Sequence, residues 1–228
     1  MKNKLLTALF CIALVLFMLT FAIGLPIYCR FFYYIQIKTL NLEAATGYSY
    51  DVIKQAYDEV LNYCTLPWVN EFSAGAFKFS ADGAAHFADC KVLFNLNLGV
   101  LLSSAAVLIT LLILQKFKLI KILSLKGHRA YFYSAIVALA LPIIIGALAA
   151  INFDKAFEIF HTIFFPGKSN WIFDPYEDEI IRAMPEEFFM NCAIIIGVGL
   201  AAFAAALIAA DLILKRKHKK QSETDYAN

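Results

Sequence analysis

The chain has 228 residues, of which 61% are hydrophobic, and its formal net charge at pH 7 is only +2. A water-soluble domain of this length has too little interior to hide that much apolar surface, so the composition excludes one and favours a protein embedded in a membrane. The basic residues are interleaved with aromatic ones beside the apolar runs, which is typical of a membrane interface and gives no reason to expect a nucleic-acid partner.

Four apolar runs reach the ~20 residues that a helix needs to cross about 30 Å of hydrocarbon. They cover residues 5–28, 92–114, 130–151 and 188–214. The first run is longer than the hydrophobic part of a signal peptide and lacks a small-residue cleavage motif, so we expect it to be a retained span. We therefore predict an all-α membrane protein with four transmembrane helices, forming one domain over residues 1–214 and followed by a basic tail at 215–228.

The charged residues predict the orientation of these spans. Lysine and arginine cluster before the first span, between the second and third, and after the fourth, and the positive-inside rule places those three segments in the cytosol. The connections at residues 29–91 and 152–187 hold seven and eight of the eighteen acidic residues and are predicted to be extracytoplasmic. Both termini are then cytosolic.

The first extracytoplasmic segment has the pattern of structured helices rather than of a linker. Ser49 is a candidate N-cap for a helix over residues 51–64, whose apolar positions share one face, and Pro67 would end it. Ser80 is a candidate N-cap for a longer helix that continues directly into the second span. On that interpretation His86 lies about 9 Å before the apolar run, at the depth of lipid headgroups and glycerol esters.

The second extracytoplasmic segment contains an amphipathic helix. Phe157, Phe160 and Phe164 share one face of it, His161 lies within it, and the Pro-Gly pair at residues 166–167 would break it. We expect this helix to lie along the membrane interface. Trp171 would then be an interfacial anchor.

The four histidines divide between the two predicted sides of the membrane. His128 and His218 lie among cytosolic basic residues and are expected to be solvated, whereas His86 and His161 share the extracytoplasmic side and the same depth. Imidazole titrates near neutral pH, so such a pair could divide acid and base roles, although each residue could equally be structural. The apolar spans also contain Asp211, for which a helix-surface pair with Lys215 is the expected partner.

A metal site or a reactive thiol is the competing interpretation of the residues in the extracytoplasmic segments. Two histidines with carboxylates could bind zinc, but no His-x3-His, His-Glu-x-x-His or Cys-x-x-Cys spacing is present, so we expect no metal and no other cofactor. The extracytoplasmic segments contain three cysteines, Cys29, Cys64 and Cys90. An odd number of cysteines leaves one unpaired, so one disulfide at most can form among them. Cys90, four residues after His86, is a packed thiol, a disulfide partner or half of a Cys–His pair.

Several stretches of the two extracytoplasmic segments resemble a known family. They are FSADGAAHFADCKVLF at residues 79–94, FHTIFF at 160–165, WIFDP at 171–175, Asp178, and PEEFF at 185–189. Together with four spans, these stretches are similar to the bacterial lipoprotein intramolecular transacylases, the Lit family. The likeness covers most of the chain and is concentrated in the two segments.

The resemblance implies an enzyme of the bacterial cell membrane whose partners are a diacylglyceryl-modified lipoprotein and membrane lipid. Such an enzyme moves the sn-2 acyl chain of the diacylglyceryl-cysteine to the cysteine α-amino group and produces the lyso form, with no cofactor. The family histidines correspond to His86 and His161. We further expect three carboxylates to orient the histidines, namely Asp89, Asp174 and Asp178. We expect three other residues to contact the substrate, namely Lys91, Trp171 and Phe160.

Two other functions remain open from the residues alone. A non-enzymatic envelope scaffold or lipid-binding partner would use the histidines as interfacial residues. A metal-dependent membrane hydrolase would use them as ligands.

Overall fold

The computed structural model describes residues 2–227, without the side chains of Leu141, Leu148, His218, Lys220 and residues 222–227. Within that range the chain is helical, apart from turns and one isolated bridge between Leu125 and His128. The helices are α1 (Lys2–Tyr28), α2 (Arg30–Thr39), α3 (Leu42–Thr46), α4 (Tyr50–Thr65), α5 (Ala81–Lys116), α6 (Ala130–Ile151), α7 (Phe153–Phe164), α8 (Ile180–Ala183) and α9 (Glu186–Ala227).

Four of the described helices, α1, α5, α6 and α9, are long and apolar enough to cross a membrane. The predicted fold class is therefore confirmed. Helix α5 runs unbroken from Ala81 into its apolar part, which begins at Val92, as expected from the position of Ser80. The fourth long helix, α9, begins at Glu186, directly after Pro185, and continues through the residues predicted to be a tail.

The chain divides into two compact units. The first unit comprises Met1–Ala22, Val100–Ile144 and Gly197–Asn228, and the second comprises Ile23–Gly99 and Ile145–Ile196. All the residues predicted to carry chemistry belong to the second unit.

The core of the second unit is built around the aromatic ring of Tyr33 on α2. This ring stacks on Tyr57 of α4 with 3.6 Å between centroids, and Phe188 lies nearly perpendicular to both rings. The Tyr33 hydroxyl donates a hydrogen bond of 2.7 Å to the carbonyl of Ala183, so the buried phenol is satisfied. Burial raises the pKa of Tyr33 far above its usual value, and the phenol stays neutral.

Helix α2 was not among the predicted helices. Its buried positions, Tyr33, Gln36 and Ile37, have the three- and four-residue spacing of one helix face. The pattern is short and begins one residue after the first apolar run, so sequence reading does not separate the two helices.

The predicted starts of α4 and α5 are both correct, but different groups cap them. Ser49 occupies the N-cap position of α4 without a side-chain capping bond, and Glu43 instead accepts from the Tyr50 N–H at 3.0 Å. The Ser80 hydroxyl accepts from the Gly83 N–H at 2.9 Å, which is the usual N-cap bond to the third residue of a helix. Helix α4 ends before Pro67, as predicted.

In the first unit, the expected surface pair between Asp211 and Lys215 is wrong. Asp211 is fully buried, and its carboxylate accepts from His128 Nδ1 at 2.6 Å and from the Arg129 backbone N–H at 2.9 Å. Lys215 lies 3.1 Å from the other ring nitrogen of His128. His128 is consequently a partly buried member of a hydrogen-bonded network rather than a solvated residue, because the loop before α6 folds onto α9.

We expect Asp211→Ala to destabilise the protein on the order of 3 kcal/mol, because it leaves the donors of His128 and Arg129 without their buried acceptor. Thermal unfolding in detergent measures this effect. Lys215→Ala is the matched control and should cost much less, since its side chain is exposed. Equal effects of the two substitutions would contradict the buried network.

Candidate functional site

Two buried histidines of the second unit lie side by side. His86 on α5 and His161 on α7 are 7% and 6% exposed, and their ring centroids are 5.7 Å apart. These are the two residues that the sequence selects as a catalytic pair. Both rings are nearly removed from solvent, although each residue belongs to a polar connecting part of the chain.

Local sequence explains how each helix presents its histidine. Helix α7 begins at an N-cap, Asn152, whose side-chain oxygen accepts from the Lys155 N–H at 2.8 Å, and it ends before Pro166. Between these limits His161 is the buried residue of the helix, while several apolar residues remain exposed. His86 lies in the second turn of α5, before the apolar part of that helix.

The hydrogen bonding of His161 defines its tautomer. Nδ1 lies 2.8 Å from the carbonyl oxygen of Phe157, and because a carbonyl only accepts, Nδ1 must carry the hydrogen. In the neutral ring, Nε2 then has a free lone pair, and no hydrogen bond to Nε2 occurs within the described residues. Burial lowers the pKa of His161 below its ordinary value, and the bond to Phe157 opposes part of that shift.

His86 has the same tautomer, but its other nitrogen is the one left free. Its Nε2 lies 3.5 Å from the sulfur of Cys90, and its Nδ1 is buried without a partner in the described structure. An imidazole nitrogen is a better acceptor than a thiol sulfur, so we assign an S–H···Nε2 bond, which leaves the hydrogen of the neutral ring on Nδ1. Cys90 is thus half of a Cys–His pair, and all five cysteines are free.

Aromatic rings surround the two imidazoles. Phe165 and Phe173 make edge-to-face contacts with His86 at centroid distances of 4.8 and 5.5 Å. Trp171 stacks on the face of His161 at 4.5 Å, and Phe157 lies 4.2 Å from the same ring. Such an apolar surround restricts water and strengthens electrostatic interactions within the site.

Asp89, expected to orient His86, binds two other residues. Its carboxylate is paired with Lys168 and accepts from Asn170 Nδ2 at 3.2 Å. No hydrogen bond joins Asp89 to His86 in the described part of the chain. The sequence gives no signal for Lys168 or Asn170, because both belong to an ordinary polar turn far from Asp89 along the chain.

The other two predicted carboxylates differ in environment. Asp178 is buried and accepts from the backbone N–H of Ser80 at 2.8 Å and from its hydroxyl at 2.9 Å. It therefore ties the segment after α7 to the start of α5. Asp174 is exposed, and its side chain accepts from the Tyr176 N–H at 2.9 Å, which is an ordinary turn bond.

The predicted substrate-contacting residues are also divided. Trp171 adjoins His161, and Phe160 is 46% exposed with its centroid 5.3 Å from that ring. Lys91 instead donates to the carbonyl of Val69 and lies 4.5 Å from the centroid of the Tyr63 ring. Contacts of all three with substrate stay a prediction.

Potential metal ligands do not cluster in the second unit as described. No group of three His, Cys, Asp or Glu side chains in the described residues is placed to hold an ion. The arrangement that the residues do form is a pair of adjacent imidazoles among aromatic rings, one with a free acceptor nitrogen and one with a free donor nitrogen.

Comparison with known proteins identifies the family. A sequence model of lipoprotein intramolecular transacylase Lit matches residues 8–189. The chain belongs to this family. It is accordingly a membrane acyltransferase, with the four long apolar helices of a multi-pass protein.

Solved structures with this fold come from Bacillus cereus. The membrane-integral lipoprotein intramolecular transacylase Lit of that organism has a TM-score of 0.84 and 24% identity, covering 96% of this chain and 98% of its own. Two further structures of it, with Arg or Ala in place of one histidine, have TM-scores of 0.78 at 24% identity. No curated protein matches this chain.

The contact between Asp178 and the start of α5 leads to a prediction for Gly83. A Cβ at Gly83 would lie 2.1 Å from Asp178 Oδ1, so Gly83→Ala must displace the carboxylate that holds Ser80. Although alanine is the better helix former, we expect a loss of about 1–3 kcal/mol in stability and reduced transacylase activity.

Gly99→Ala on the same helix is the matched control, because no atom lies within 4 Å of its added Cβ. Its melting temperature should be unchanged or slightly raised. If Gly83→Ala melts at the same temperature as Gly99→Ala, Asp178 does not hold the start of α5.

Proposed function

We propose that this chain moves the sn-2 acyl group of a diacylglyceryl-cysteine lipoprotein to the α-amino group of the same cysteine. His161 acts as general base and then as acid, and His86 donates a hydrogen bond to the reacting ester carbonyl. The observation that carries the proposal is that two buried imidazoles lie side by side. One has a nitrogen free to accept a hydrogen bond, and the other has a nitrogen free to donate one.

The role of His161 follows from its free Nε2. With Nδ1 bound to the Phe157 carbonyl, the ring is fixed in the tautomer whose lone pair can receive a proton. The lowered pKa keeps this nitrogen unprotonated at neutral pH. The α-ammonium of the substrate has a pKa near 8 and must lose a proton before its nitrogen can attack.

The role of His86 follows from its unpartnered Nδ1. A neutral imidazole with hydrogen on Nδ1 can donate to the carbonyl oxygen, and this bond strengthens as negative charge develops on that oxygen. The same ring has no spare proton to release to a leaving alkoxide. We therefore prefer polarisation of the ester, rather than protonation of the leaving oxygen, as the function of His86.

The reaction then balances without a co-reactant. The α-ammonium first releases one proton to solvent. The neutral amine nitrogen then attacks the sn-2 carbonyl carbon and gives a second proton to His161 Nε2. The N–C bond forms, the C–O bond to glycerol breaks, and the imidazolium of His161 returns the proton to the departing glycerol oxygen. Both reacting groups belong to one molecule, so correct placement lowers the barrier by several kcal/mol, and no acyl-enzyme is required.

The aromatic surround supports transfer to an amine over hydrolysis. Phe165, Phe173 and Trp171 cover the imidazoles, which limits the access of water to the activated ester. His86 lies six positions, or about 9 Å, before Val92, where the apolar part of α5 begins, and this distance also matches the depth of glycerol esters.

We also propose the orientation of the protein in the membrane. The basic residues before α1, between α5 and α6, and in the last part of α9 favour cytosolic termini under the positive-inside rule. The two acidic connecting segments, and with them both histidines, would face the extracytoplasmic side, where mature lipoproteins present their modified N-terminus.

Replacing either histidine tests the proposed roles. With a synthetic diacylglyceryl lipopeptide, we expect His161→Asn to reduce N-acylation by about 10²–10⁴-fold, because the general base is lost. His86→Asn should reduce it by about 10²–10³-fold, because the carbonyl loses a donor. Mass spectrometry of the lipopeptide measures the product.

His128→Asn is the control, since that histidine belongs to the Asp211 network of the first unit. It should retain N-acylation when the protein is folded. Full activity in a folded His86→Asn or His161→Asn protein would remove that residue from the mechanism.

The pH dependence of kcat/KM provides a second test. His161 must be neutral to act, and its pKa is lowered, so the enzyme's acid limb should lie below the ordinary histidine value of about 6.5. A second ionisation near 8 should come from the substrate amine. The pH profile of the residual activity of His161→Asn should keep the ionisation of the substrate amine and lose that of His161. If the ionisation below about 6.5 persists in this variant, it belongs to another group and His161 is not the base.

A further inference from the structure

Three buried side-chain polar atoms lack a hydrogen-bond partner in the described structure. They are His86 Nδ1, Asn170 Oδ1 and Arg182 Nε. Arg182 is engaged through its Nη2 with Glu179 and belongs to the packing of α8. The proposed function uses His86 Nδ1, which leaves the amide oxygen of Asn170 as a buried acceptor without a role.

The orientation of the Asn170 amide is determined by Asp89. Its Nδ2 lies 3.2 Å from Asp89 Oδ2, and because a carboxylate only accepts, the NH2 side of the amide must face it. The oxygen is therefore directed away from Asp89. Lys168 pairs with the same carboxylate, so the charge of Asp89 is balanced.

Asn170 is linked to residues next to both imidazoles. Asp89 lies three residues after His86 on α5, one turn along the helix. The next residue after Asn170 is Trp171, whose ring stacks on His161. The buried acceptor is thus held by a residue beside one histidine and by the chain that contacts the other.

We propose that Asn170 is a substrate-binding residue whose Oδ1 accepts a hydrogen bond from the α-amino group of the lipoprotein. This inference rests on the proposed function. The ester and thioether groups at the reacting end of a diacylglyceryl-cysteine only accept hydrogen bonds, and its α-nitrogen is the donor there. An N–H held by Asn170 would leave a second N–H for His161 and direct the nitrogen lone pair to the ester.

The competing interpretation is that Asn170 serves only to hold Asp89. Lys168 offers the comparison, because it binds the same carboxylate and has not been assigned any contact with substrate. If tethering of Asp89 is the whole role of Asn170, loss of either partner should have similar consequences.

Binding of two unreactive lipopeptides separates these interpretations. Both carry an ether in place of the sn-2 ester, and one of them lacks the α-amino group. The wild-type protein in detergent should bind the amino ligand about tenfold more tightly, as expected for a hydrogen bond from a charged donor. Asn170→Ala should lower the ratio of the two dissociation constants severalfold, because only the contact of the amine with His161 remains, and Lys168→Met should keep the wild-type ratio.

Equal affinity of the wild-type protein for the two ligands would overturn the proposal, even if Asn170→Ala does not fold. A folded Asn170→Ala protein that keeps the wild-type ratio would overturn it as well, and so would a Lys168→Met protein that loses the ratio equally. Failure of the wild-type protein to N-acylate the ester lipopeptide would instead contradict the proposed function, since these binding measurements require no turnover.

Discussion

The carboxylate of Asp178 binds both the backbone N–H and the hydroxyl of Ser80, and the site depends on this connection. The Ser80 hydroxyl caps α5, and Asp178 attaches the segment after α7 to this cap. His86 lies in the second turn of α5, and His161 is held on α7 shortly before the same segment. The connection therefore brings together two imidazoles that are far apart along the chain.

A second connection, from Asp89 to Lys168 and Asn170, joins the same two parts of the chain one turn beyond His86. Together the two contacts attach the segment after α7 to α5 on both sides of the histidine. Ion pairs and hydrogen bonds of this kind contribute modestly to stability, but their directionality fixes geometry. For an intramolecular acyl transfer, geometry matters because the two reacting groups are already part of one molecule.

The two histidines differ in which nitrogen is free, and neighbouring groups cause the difference. A backbone carbonyl occupies Nδ1 of His161, whereas the thiol of Cys90 occupies Nε2 of His86. One ring is left with an acceptor and the other with a donor. Two identical side chains could then take different parts in the proposed reaction.

Interpretation of the sequence succeeded where the cause is local. The position of α4 follows from apolar periodicity and a proline, and those of α5 and α7 follow also from their N-caps, which act over a few residues. It was wrong where a partner comes from elsewhere in the chain. Asp211 was expected to pair with Lys215 one turn away, but burial against the loop before α6 gives its carboxylate two better donors.

The amino-acid sequence by itself determined the membrane class, the four long apolar helices and the choice of His86 and His161, because hydrophobic length and side-chain chemistry are properties of the residues. The tertiary structure alone decided the tautomers of the two rings, the partners of Asp89 and the buried acceptor of Asn170. The bonds of Asp89 join residues that are distant along the chain. Each ring bonds to a residue four positions away in its own helix, but only the fold fixes the orientation of the side chains that form the bond, and its strength varies steeply with distance and angle. No local pattern specifies that geometry.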